Sequence, residues 1–160
     1  EFTPPAETTK DLVKTLMDWA AKKGCTKIIS AEGFNSGPKE EDKDNIIYGI
    51  SSTEASRLWI EEAKVEPFTY GTVGGITGAI LNEGKIRRMN VLGLLAEVNE
   101  DAPDARAAAN VIKAIDELLL AIELDTEPLL KEAESLEKEV QEVREQAPSE
   151  VSSSVPRYIG

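Results

Sequence analysis

Tyr70 to Glu97, YGTVGGITGAILNEGKIRRMNVLGLLAE, is the stretch whose reading decides the fold class. Gly71, Gly74, Gly75 and Gly78 open it and lead into a helix-compatible run from about Ile76 to Arg88, in which Ile76, Ala79 and Ile80 share one face. Asn90 reads as the close of that helix. Val91 to Ala96 is a short, continuously apolar run, the pattern of a strand buried on both faces. Turn, helix and buried strand make half of a βαβ unit and set the class as α/β.

A glycine-rich turn before a helix invites an anion, because exposed N–H groups and the helix dipole favour negative charge there. Gly74, Gly75, Thr77 and Gly78 are the residues of such a possible anion-binding turn. Neither G-x-x-x-x-G-K-[ST] nor G-x-G-x-x-G fits, however, since the lysine is missing and the spacing differs. The other reading is that the glycines let the helix start pack closely. Both readings stay open at this point.

Outward from the turn, the pattern repeats. Thr8-Thr9-Lys10-Asp11 resembles a capping box, and a helix is expected from about Thr9 to Lys23. Leu12, Leu16 and Ala20, with Val13 and Met17 beside them, form its apolar face, and Gly24 stops it. Cys25 follows and reads as a small core residue. Thr26 to Ala31 and Asn45 to Ser52 read as strands, separated by a loop carrying Glu32 and the charged run KEEDKD at 39–44. Glu32 stands at a strand's carboxyl end, where ligands of open α/β sheets bind. Ser52 or Thr53 caps a short helix to about Lys64, and an extended piece around Pro67 returns to the glycine turn. Asp104 caps a further helix to about Ala121 or a little beyond, with Ala105, Ala108, Ile112, Ile115, Leu119 and Ile122 expected as its buried face.

Leu129, Ala133, Leu136, Val140 and Val143 recur at steps of four and three, a heptad seam expected on a helix from Thr126 to Ala147. A seam this narrow suits a helix partner, from this chain or from another copy. Pro148 to Ser154 is a polar linker, and Arg157, Tyr158, Ile159 and Gly160 end the chain with an aromatic group on a tether.

Composition narrows the function. The net charge is −12, and residues 97–160 hold 16 acids and 6 bases, so −10 of it lies in the second half. That balance argues against nucleic acid and anionic membrane as partners. The sequence has no histidine, which removes Ser-His-Asp and Cys-His machinery and histidine-based zinc sites. No catalytic residue, metal or cofactor is assigned. A single cysteine fits a reducing cytoplasm, and no run approaches transmembrane length.

Ile76-Thr77-Gly78, then Leu92 to Glu97, then Asp104-Ala105-Arg106-Ala107-Ala108 carry a resemblance. In that order they are similar to the helix, strand and following helix of the proteasome assembly chaperone family, above all its archaeal homologues, over roughly Leu12 to Leu136. The resemblance implies a three-layer α/β/α domain with a mostly parallel, nucleoside-phosphorylase-like sheet. It also implies further strands and a helix upstream of the residues present, while the heptad pattern adds a long C-terminal helix. The domain division expected is an α/β domain at 1–125, the heptad helix at 126–147 and a flexible tail at 148–160. The resemblance further implies a homo-oligomeric, non-enzymatic chaperone or activator that docks on the proteasome α-ring through its C-terminal tail. The family tail places a tyrosine second from the end after a hydrophobic residue; here Tyr158 is third from the end and Arg157 precedes it. The alternative is a nucleotide- or phosphate-binding protein or enzyme using Gly74, Gly75 and Thr77, with Glu32 and Glu97 at strand ends.

Overall fold

The computed structural model describes residues 4–35, 46–98, 104–119 and 126–146. Among these, five helices and four strands follow in the order α1 (Ala6–Lys22), β1 (Ile28–Phe34), β2 (Ile47–Ser51), α2 (Glu54–Glu62), β3 (Glu66–Pro67), α3 (Gly75–Arg87), β4 (Val91–Glu97), α4 (Ala105–Leu119) and α5 (Glu127–Gln146). The sheet order is β1-β4-β2-β3. β1 runs parallel to β4 and β2 parallel to β3, while β2 and β4 are antiparallel. Two of the three pairings are therefore parallel.

β4 is central because its sequence lets it be. Every residue from Val91 to Ala96 is buried, as an uninterrupted apolar run requires when both faces are covered. Period-two alternation splits it between two cores. Val91 packs with Val13, Met17, Ile80 and Leu81 under α1 and α3. Leu92, Leu94 and Ala96 pack with Trp59, Ile60, Ala107 and Leu118 under α2 and α4. The result is the expected α/β/α sandwich, with α5 laid on α4.

Several local expectations are corrected. α1 begins at Ala6 behind Pro5, one turn earlier than Thr9, so the capping box does not form; Thr8 Oγ1 instead donates to the Pro5 carbonyl at 2.9 Å. Proline suits a helix start because its missing N–H has no partner to lose there. The buried stripe of α1 is Val13, Met17 and Ala20, and Leu12 and Leu16 lie beside it, substantially exposed. Cys25 is exposed, because β1 starts three residues later and carries the core with it. α3 ends at Arg88 in the left-handed conformation, so Asn90 closes nothing. On α4 the buried positions are Ala107, Ala109, Ala114, Asp116 and Leu118, whereas Ala108 and Leu119 are exposed. The helix is covered on two sides, by the sheet and by α5, so a single stripe drawn through its largest residues misses both. The 39–44 charge run and Ile122 lie outside the described residues.

The choice between Ser52 and Thr53 as cap falls on Thr53. Its Oγ1 accepts from the Ser56 N–H at 3.1 Å, and the Thr53 N–H donates to Ser56 Oγ at 3.1 Å. Thr53 Oγ1 also donates to Asn90 Oδ1 at 2.7 Å, tying α2 to the turn that feeds β4. Thr53→Ala removes the cap and the tie together. The expected loss is about 1–2 kcal/mol, the upper half of the usual range for cap removal, read by urea unfolding.

Candidate functional site

The glycine turn, Glu32 and the end of β1 come together at one end of the sheet. Alternation along β1 turns Ile28, Ser30, Glu32 and Phe34 to the α3 face. There Ser30 Oγ and Thr77 Oγ1 share a hydrogen bond of 2.8 Å, and Thr77 is buried. This bond joins the middle of β1 to the first turn of α3. Phe34 continues the same face into an aromatic cluster: its ring lies 5.9 Å from that of Tyr48, which lies 6.4 Å edge-on from Phe68. The cluster closes the sheet end beneath the turn.

Gly74 is the N-cap of α3, and Gly75 has a φ of +57°, the left-handed region in which a side chain costs about 1 kcal/mol or more. The space where a Cβ on Gly75 would stand is 3.3 Å from Glu32 Oε1. A carboxylate of this same chain therefore sits at the positive end of α3, where the helix dipole stabilises negative charge. Gly78 is held for another reason. A Cβ there would run into the backbone carbonyl of Val73, and the Gly78 N–H donates to the Gly74 carbonyl at 2.8 Å.

The structure thus brings Gly74, Gly75, Thr77 and Gly78 together around the start of α3, with Glu32 beside them. Ser30 was not foreseen as a partner of Thr77, although its two-residue spacing from Glu32 places both on one strand face. The close packing that the glycines provide is against the loop before α3 as well as against the sheet. The presence of Glu32 makes the turn a poor place for a second anion, since like charges at this range repel.

The heptad residues divide. Ala133 is buried, Leu129 and Leu136 are half-buried, and α5 packs against α4 of the same chain. The first half of the seam therefore has a partner within the chain. The side chains of Val140 and Val143, and the whole of Arg157, Tyr158, Ile159 and Gly160, lie outside the described residues. Among the described residues no group of three or more histidine, cysteine, aspartate or glutamate side chains gathers to hold a metal ion, and no helix is long and apolar enough to cross a membrane. A shallow groove of about 420 Å³ on the opposite face runs between the end of α2 and α4, floored by Ile47, Val65 and Ala114, and bridged by Lys64 Nζ and Glu117 Oε1 at 2.7 Å.

Comparison with known proteins gives a consistent result. An uncharacterized protein of Methanocaldococcus jannaschii is 32% identical over 132 residues, covering 81% of this chain and 52% of that protein. The crystal structure of Pyrococcus furiosus PbaA, an archaeal homolog of proteasome-assembly chaperone, superposes with a TM-score of 0.81 at 29% identity, covering 91% of this chain and 60% of PbaA. That of Pyrococcus furiosus PbaB, an archaeal proteasome activator, shares the fold with a TM-score of 0.78 at 22% identity, covering 90% of this chain and 62% of PbaB. The chain spans about half to three fifths of the length of these relatives. The profile of the PAC2 family matches residues 3–144, the glycine turn, β4 and α4 included, and on that match the chain belongs to the PAC2 family.

Proposed function

We propose that this chain is a non-enzymatic binding protein that associates with the proteasome, docking on the α-ring of the core particle through Arg157, Tyr158, Ile159 and Gly160. The observation that carries the reading is the family match over residues 3–144 together with the likeness to PbaA, a homolog of proteasome-assembly chaperone. Two features of the chain support a binding role over chemistry. The sequence holds no histidine, the commonest general acid–base near neutral pH. The most suggestive turn has Glu32 at its helix end, where a phosphate or nucleotide would have to displace it. The setting is cytoplasmic, in keeping with one exposed, unpaired cysteine.

A homo-oligomer would present several tails at once. Linked tails gain avidity far above that of one, so a weak single contact suffices. Val140 and Val143, the later positions of the heptad seam in the sequence, are the residues through which we expect another copy to pack.

The test is co-sedimentation of the chain with an archaeal core particle, alongside the rate of peptide hydrolysis by that particle. The full chain is expected to sediment with the particle, and a chain lacking Tyr158-Ile159-Gly160 to remain in the supernatant. Equal binding by both moves the contact to the folded body. Binding by neither ends the proteasome reading for this chain.

A further inference from the structure

We infer that the surface formed by the carboxyl ends of α1 and α3 is a docking surface, and that its occupant is the acidic helix α5 of a second copy of this chain. The inference rests on the homo-oligomeric part of the proposed function and names a contact for it. α1 and α3 lead through short links into β1 and β4, which are parallel neighbours. The two helices therefore run side by side in one direction and finish at the same end of the sheet, where Asp18 of α1 pairs with Arg87 of α3. Lys22, Lys23 and Lys27 reach that end from α1 and the start of β1, and Lys85, Arg87 and Arg88 from α3. Six of the twelve bases in residues 1–96 are gathered there.

Pairing within the chain neutralises little of this charge. Arg87 is held by Asp18 and Glu83. Lys27 turns to the other face of the sheet, with its Nζ 5.2 Å from the centre of the Trp59 ring and 3.5 Å from the Leu118 carbonyl. Lys22, Lys23, Lys85 and Arg88 are exposed, and none of them pairs with an acid among the described residues. The dipoles of the two helices account for bases in their last turns. They do not account for Ile86, which stands between Lys85 and Arg87 and is 67% exposed. An apolar side chain ringed by unpaired cations has the make-up of a protein contact, with a dry centre and a charged rim.

Such a surface fits an acidic segment, and the same chain carries one. Of the net charge of −12, −10 lies in residues 97–160. α5 alone holds seven acids against three bases, whereas α3 holds one acid and two bases. Glu132, Glu134 and Glu139 are exposed and pair with no base among the described residues, while Ala133 carries the face that α4 covers. Two copies at −12 repel each other at a distance, but at physiological salt charges are screened beyond about 8 Å. Contact is then decided by which charges meet, and unlike charges meet only when the basic surface of one copy faces α5 of the other. The two surfaces differ, so each copy offers one of each kind, and the contact closes as a ring where the rotation between copies allows it.

Sedimentation velocity of the full chain tests this. The parent is expected to be oligomeric at about 50 mM salt and to dissociate progressively toward about 500 mM, where exposed charges are screened within a few ångströms. Association through Val140 and Val143 alone is not weakened by salt, because apolar burial is not. Lys22→Glu/Lys85→Glu and Glu132→Lys/Glu139→Lys are each expected to weaken association by about tenfold or more, through like charges brought opposite each other. An equimolar mixture of the two variants is expected to recover it, since every contact in the mixture again joins unlike charges, and recovery shows that both are folded. A chain lacking Tyr158-Ile159-Gly160 is expected to associate as the parent does, which separates this contact from docking of the tail. A parent that assembles but responds neither to salt nor to the substitutions overturns the contact and leaves the homo-oligomer standing. A monomeric parent overturns both. Loss in the first variant without loss in the second overturns α5 as the occupant, as does a mixture that fails to recover.

Discussion

Leu94→Ala is expected to cost about 3–5 kcal/mol, toward the upper end for a buried leucine truncation. Leu94 is fully buried in the middle of β4, in contact with the core that Trp59, Ile60, Ala107 and Leu118 complete. Its neighbours across the sheet are Ala31 on β1 and Gly49 on β2. Both are too small to lean into a void. The space above Gly49 is already filled, by Ile60 and Val65, whose carbons approach to 2.9–3.2 Å of the position of an absent Cβ. The walls of the new cavity thus belong to a strand row without volume and to helices fixed elsewhere, and little collapse can offset the lost contacts. A domain of this size is stable by about 5–15 kcal/mol, so the variant lies close to unfolding at ordinary temperature. Urea unfolding followed by far-ultraviolet circular dichroism measures the difference. Leu58→Ala, on the exposed face of α2, is the companion variant and is expected to stay within about 0.5 kcal/mol of the parent. A loss below about 1.5 kcal/mol at Leu94 would mean that α2 and α4 close over the gap, and that β4 is less central than its burial indicates.

The same residues explain what the sequence could and could not disclose. β4 was legible because a run apolar at every position has few solutions other than a strand covered on both faces. The helices were legible where one face is buried, as in α2 with its Thr53 cap. α4 was not, because its second covered side is created by α5, a tertiary contact that the local period does not carry. α1 misled for a related reason. Leu12 and Leu16 are as apolar as the residues that α3 covers, and periodicity cannot distinguish a covered apolar flank from one left open. At the glycine turn, spacing placed Gly74, Gly75, Thr77 and Gly78 at a helix start, but the nearness of Glu32 depends on how β1 and α3 are stacked. It is that contact, rather than any motif, that turns the balance away from an anion.

The four glycines of the turn are not equivalent, and this gives the second prediction. Gly78→Ala is expected to destabilise the chain by about 2–3 kcal/mol, the upper part of the range for overpacking a filled site. Its Cβ would meet the carbonyl of Val73, a backbone atom that cannot rotate aside as a side-chain terminus can. Relief requires the loop to back away from α3. That movement in turn withdraws Val73 from its packing against the core beneath α1 and α3. Gly74→Ala, four residues earlier, is expected to be nearly neutral, within about 0.5 kcal/mol. No atom lies within 4 Å of the added methyl, and its φ of −99° is open to any residue. The pair separates the two explanations of the glycine-rich pattern. If the glycines serve close packing, stability falls sharply at Gly78 and not at Gly74. If they kept the turn open for an anion, the stabilities would be similar, and phosphate would raise the melting temperature of the parent but not of the Gly74 variant. Thermal unfolding of the parent and both variants, with and without phosphate, decides between them. The carbonyl of Val73 and the carboxylate of Glu32 both favour the first result.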